Sequence, residues 1–134
     1  MKKSLIILLL FFSNNVSQFY FLPTTHGEIL PKQESYKAVI DLVENDSMLD
    51  IVGKFYNQTD STIFIEYIMK TIKIGKSGKT SSTQSGKYIS EANSELILSK
   101  IGLNIDGEMR YSISLKVYEE DNLIAEDLLN YNFE

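Results

Sequence analysis

The chain has 134 residues, with 13 basic against 18 acidic side chains, no Cys, no Trp and one His. That length suits a single domain of about 100–150 residues, and a formal net charge of −5 sets the chain against polyanions such as nucleic acid. One His without Cys builds neither a His/Cys metal site nor a nucleophile–base pair, so composition points away from an enzyme and names no cofactor.

Lys2 and Lys3 precede an apolar run from Leu5 to Phe12, and polar Ser13-Asn14-Asn15 closes it. A basic start followed by about 7–15 apolar residues is the pattern of a secretory signal peptide, and the run is shorter than the roughly 20 residues of a membrane span. The expected leader is residues 1–17, cut after Ser17 although no A-x-A pattern is there. An uncleaved anchor extended by Phe19-Tyr20-Phe21-Leu22 is the alternative. No Cys follows the run to carry a lipid. Intact mass of the exported protein should show loss of about the first 17–22 residues. A full-length mass in a membrane fraction would remove the leader.

Without Lys2 and Lys3 the chain keeps 11 basic residues against 18 acidic ones, a net of −7. Such a domain is expected to be a soluble monomer, with no affinity for membranes or nucleic acid. Residues 18–34 mix aromatic, polar and both Pro residues (Pro23 and Pro31) without a period, and read as a flexible arm. His26 lies in that arm.

From residue 35 to 134 the pattern becomes one of short alternating runs. Tyr36–Glu44 puts Ala38, Ile40 and Leu42 on one face, and Asn45-Asp46-Ser47 turns the chain. Met48–Tyr56 alternates Leu49, Ile51, Gly53 and Phe55, a half-buried strand that ends at the turn Asn57–Asp60. Thr62–Ile74 is apolar on both parities (Ile63, Ile65, Tyr67 and Met69 against Phe64, Ile68 and Ile72), which predicts a bulge near its middle. A polar strand, Lys79–Ser90, follows, and Glu91-Ala92-Asn93 turns into Glu95–Ile105. There Ile97, Ser99, Ile101, Leu103 and Ile105 alternate, and Asp106-Gly107 is a two-residue hairpin signal. Arg110–Glu119 carries Tyr111, Ile113, Leu115 and Val117 on one face, and Leu123–Asn132 follows the acidic turn Glu119–Asn122. A helix over Ile124–Leu129 is the only competing assignment. Seven strands at spacings of about 8–14 residues predict an all-β, immunoglobulin-like antiparallel sandwich. Its interior should hold Leu49, Ile51, Ile63, Ile65, Ile101, Leu103, Ile113 and Leu115.

The run from Gly75 to Lys87 is the least ordinary stretch, made almost wholly of Gly, Ser, Thr, Gln and Lys. Gly75, Ser77 and Gly78 supply a turn, and β-branched Thr80 and Thr83 favour an extended second arm that faces solvent. Its beginning is no P-loop: the glycines stand too close together and no helix follows. Lys70, Lys73, Lys76, Lys79 and Lys87 collect around this hairpin. They protect an edge from aggregation, steer a partner toward it, or do both. The partner-contact candidates are Lys73, Lys76, Lys79, Thr80, Ser81, Thr83, Gln84 and Lys87. Two further motifs are weak. Acidic residues at the turns (Asp60, Glu91, Glu95, Glu119, Glu120 and Asp121) could approach a Ca2+ ion, but their spacing fits no known loop. Asn57-Gln58-Thr59 is a glycosylation sequon by letter only.

Three blocks resemble the CsgH family of curli assembly proteins. They are Lys73-x-Gly75-x-x-Gly78-x-Thr80-Ser81-x-x-Gln84-x-Gly86-x-Tyr88, Leu98-Ser99-Lys100-Ile101-x-Leu103-Asn104-Ile105, and Tyr111-x-Ile113-x-Leu115-x-Val117-Tyr118. The similarity spans residues 48–128. It implies an immunoglobulin-like sandwich in the periplasm of a Gram-negative bacterium, with a chaperone's task. That task is to hold the curli subunit CsgA soluble and block premature amyloid before secretion. The cysteine pair that family members carry is missing here, and with it any stapling of the termini. An adhesive module for carbohydrate or another envelope protein is the alternative from a different class.

Overall fold

The computed structural model describes residues 34–105 and 107–133. The expected leader and cleavage site, His26 and the arm up to residue 33 lie outside the described residues. Seven strands follow one another: β1 (Tyr36–Asn45), β2 (Met48–Asn57), β3 (Ile63–Gly75), β4 (Gly78–Ser90), β5 (Ser94–Asn104), β6 (Met109–Glu119) and β7 (Asn122–Phe133). They form two sheets, ordered β1-β2-β5 and β4-β3-β6-β7, and every pairing is antiparallel. This is the expected immunoglobulin-like sandwich. Residues 124–129 are strand, not helix.

Period-two alternation builds the interior. On β2, Leu49, Ile51, Gly53 and Phe55 turn inward. Ile63, Ile65, Tyr67 and Met69 of β3 meet them from the other sheet, beside Tyr111, Ile113, Leu115 and Val117 of β6. Gly53 makes room at the centre, since a Cβ there would stand 3.1 Å from Met69 Sδ. On the solvent side of the smaller sheet, Lys54 Nζ reaches Asp41 at 2.7 Å and Glu95 at 3.7 Å. The hydrogen bond with Asp41 raises the Lys54 pKa. The ammonium's contribution is fully present below the ordinary lysine value of about 10.5 and is lost as pH rises through the raised folded value.

Three sequence expectations need correction. The long strand β3 carries no bulge, and pairs without a register shift on both sides. Its second apolar parity is exposed instead: Phe64 is 72% and Ile68 38% exposed. The bulges lie elsewhere. Gly53 faces Ser99 while Lys54 faces Ile97, so Leu98 is an extra residue in β5, and Ile124 is extra in β7. An inserted residue inverts which side chains face the core. Leu98 is therefore buried at 3% while Ile97 stands 61% exposed, and the expected single face from Ile97 to Ile105 is broken. Ile101 and Leu103 still turn inward beyond the bulge, where they are half-buried against the core. Finally, Asp106-Gly107 does not close a hairpin. β5 ends at Asn104 in one sheet and β6 begins at Met109 in the other, so the chain changes sheet between them.

Candidate functional site

The site candidates lie on the β3–β4 hairpin. Lys76 and Ser77 form its two-residue turn between the paired Gly75 and Gly78. Gly78 has φ +115°, which only a residue without Cβ adopts freely. Register then sorts the candidates by face. Lys79, Ser81, Thr83 and Lys87 oppose Ile74, Ile72, Lys70 and Glu66, so they share the outer face of the four-stranded sheet. Thr80 and Gln84 oppose Lys73 and Met69 on the inward parity. Lys73 is half-buried there, and Lys76 projects from the turn. The eight residues therefore do not form one patch.

Gln84 is a tie between the sheets. Its Oε1 accepts the Ser99 hydroxyl, and four residues on, Tyr88 OH donates to Leu98 O at 3.3 Å. Both bonds land on the β5 bulge. Between them Gly86 lies under Tyr67, because a Cβ there would stand 2.9 Å from Tyr67 Cε1. Tyr67 in turn stacks on Tyr88 with centroids 5.9 Å apart. These even positions fasten β4 to the body, and the odd positions are left to solvent.

On the outer face β6 adds two cations that sequence reading missed. Lys116 faces Ile68 and Arg110 faces Ile74, so Arg110 and Lys116 join Lys70, Lys79 and Lys87. Their signal was the polar parity of β6, Arg110-Ser112-Ser114-Lys116, read at first only for the apolar residues between. The result is a cationic face on a chain of net −5. At the end of this face where β3 begins and β4 ends lies a groove of about 380 Å³, lined by Phe64, Ile89 and Tyr118 with Lys87 and Glu66. Glu120 and Asp121 bound it from the β6–β7 turn, with φ of 47° and 65°.

The acidic turns gather at this same end, as their order predicts, but among the described residues no group of three or more His, Asp or Glu is placed to hold a metal. What organises the end is Asn57. Its Nδ2 donates to Ser61 O at 2.8 Å, Glu91 O at 3.0 Å and Ser90 O at 3.4 Å. Its Oδ1 accepts Thr59 N at 3.0 Å and the Thr59 hydroxyl at 2.7 Å. With Asn57 only 1% exposed, the sequon is a structural knot that no glycan reaches.

The class defined by these features is an immunoglobulin-like sandwich with one polar, lysine-flanked strand left at a sheet edge. Among solved structures it is similar to the E. coli curli protein CsgC, with a TM-score of 0.59 and 19% identity over 70% of this chain and 97% of that one. The solution structure of R. palustris CsgH is also similar, with a TM-score of 0.55 and 16% identity over 68% of this chain and 89% of that one. The resemblance read from the sequence is thus met by curli proteins of the same fold. No family model and no curated relative matches the sequence.

Proposed function

We propose that this protein is a periplasmic accessory of curli assembly that keeps a curli-type amyloid subunit soluble until secretion. One observation carries the reading: a fold shared with two curli proteins presents a long, polar, solvent-facing edge strand that contributes little to its own core. Amyloid grows by adding strands to an open edge. A folded domain that pairs briefly with such a strand interrupts that growth, and needs neither a catalytic group nor a cofactor. The adhesive alternative would call for aromatics in line along one face. Here the described outer face has them only at one corner, at Phe64 and Tyr118.

Substoichiometric protein should lengthen the lag of a curli-type subunit in a thioflavin-T time course, less so as salt rises and charge is screened. The triple variant Lys76→Glu, Lys79→Glu, Lys87→Glu should melt as wild type does, since exposed substitutions act within about 0.5 kcal/mol. Its lag should return toward that of the subunit alone. An unaltered lag would leave these lysines a protective role only. If equimolar wild-type protein leaves the curve unchanged, the chaperone reading falls.

A further inference from the structure

Among the described residues the sandwich has four strand edges, and three of them carry a bulge or a plugged amide. The β1 edge offers the Ile40 amide, which Asp127 Oδ2 already holds at 2.7 Å. The β5 edge is interrupted by Leu98, whose carbonyl takes the Tyr88 hydroxyl. The β7 edge carries the second bulge, and Asp127 Oδ1 folds back onto the Leu128 amide at 3.0 Å. Bulges and plugged amides are how natural sheets refuse a further strand. β4 has neither along its 13 residues, and it contains no Pro.

The phase of the ladder tells which groups β4 offers. A two-residue turn makes Gly75 and Gly78 a hydrogen-bonded pair, after which bonded and non-bonded pairs alternate. The even positions therefore bond β3, while Lys79, Ser81, Thr83, Ser85, Lys87 and Ile89 turn N–H and C=O toward the open side. The same counting from the other hairpin turns leaves the Ile40 and Leu128 amides free of their ladders, and these are the two that Asp127 takes.

Side chains on those odd positions define what fits. β4 contains no Asp or Glu, so a second copy would add two lysines and no counter-charge. Across the ladder Lys79 faces only Ile74, while Lys87 faces Glu66; on the open side both meet no partner strand, so carboxylates eight residues apart along an added strand would match them. Two residues beyond Lys87, Ile89 stands 57% exposed on the lip of the Phe64–Tyr118 groove.

We infer that the β4 edge accepts an extended acidic segment as a fifth strand of the larger sheet. The added strand runs antiparallel, as every pairing in both sheets does. Read from its N-terminus, it places an apolar side chain opposite Ile89, a carboxylate two residues later opposite Lys87, and a second carboxylate eight further on opposite Lys79. Ser, Thr or Asn suits the intervening outward positions, where the facing side chains are Ser85, Thr83 and Ser81. This inference rests on the reading of β4 as a partner-binding strand, and adds the partner's chemistry, direction and register.

The test uses a synthetic peptide with that spacing, otherwise Ser, Thr and Asn, and amide exchange followed by NMR. Protection of the Ser81, Thr83 and Ser85 amides should rise by about tenfold or more, while Ser82 and Gln84, already bonded to β3, stay as they were. Thr83→Pro removes an outward N–H without touching the β3 ladder, and should abolish peptide binding at an unchanged melting temperature. Ser81→Pro is the parallel variant should the first misfold. Lys79→Glu with Lys87→Glu should weaken the acidic peptide roughly tenfold, and a peptide with Lys in place of both carboxylates should bind that variant instead. Binding that survives both Pro variants, or protection at other edges, overturns the inference. If the peptide fails while the protein still delays amyloid, the register falls and the chaperone reading stands. If the peptide binds by this pattern and amyloid is not delayed, the chaperone reading alone falls.

Discussion

Leu115→Ala is expected to cost about 2–5 kcal/mol, read as a lower denaturant midpoint at an unchanged slope. Leu115 is fully buried at the centre of β6, where its methyl groups also lie against Gly53 of the opposite sheet. Truncation removes both the transfer energy and the contacts that a rigid two-sheet interior cannot restore by collapse. The chain has no disulfide to hold a weakened state together. The loss is therefore a large part of a total stability of roughly 5–15 kcal/mol. A variant that unfolds at the wild-type midpoint would contradict the burial of this face.

Asn57 should be as sensitive, for a polar reason. Its amide donates to three carbonyls on two separate connections. Asn57→Ala strands those acceptors, at about 1–3 kcal/mol for each group left buried without a partner. Asn57→Asp should be worse near neutral pH, because a carboxylate donates nothing and faces the same carbonyl oxygens. Such a group is held above its unfolded pKa of about 3.9, so the penalty should shrink as pH falls and the carboxyl regains a donor. A pH-independent difference between the two variants, measured by urea melts from neutral to acid, would rule this account out.

How far the sequence could be read follows from the local or distant origin of each feature. Alternation at Leu49-Ile51-Gly53-Phe55 and Tyr111-Ile113-Leu115-Val117 is a local signal, and both inward faces match it. The β5 bulge is not local: it takes a partner strand to show that Leu98 has no opposite number. Asp106-Gly107 has hairpin chemistry, but the decision to cross between sheets is made by where β5 finds its partner, β2. On the candidate site, the polar run correctly marked the exposed strand. Alternation alone puts Gln84 and Thr83 on opposite faces, but which of them turns inward was decided by pairing with Met69 and Lys70 of β3. Arg110 and Lys116 became neighbours of the lysines only through β3–β6 pairing.

The arrangement of β4 also bears on how such a protein can change over generations. Its even positions, Gln84, Gly86 and Tyr88, are tied to the body, while Ser81, Thr83 and Ser85 are exposed. Mutations at those outward positions leave the interior unaltered, so folding places little selective constraint on them. If the proposed edge pairing holds, recognition and foldability occupy interleaved but separable letters of one strand. On that proposal, a lineage can retune the outward set to a diverging partner one substitution at a time, without passing through an unstable intermediate.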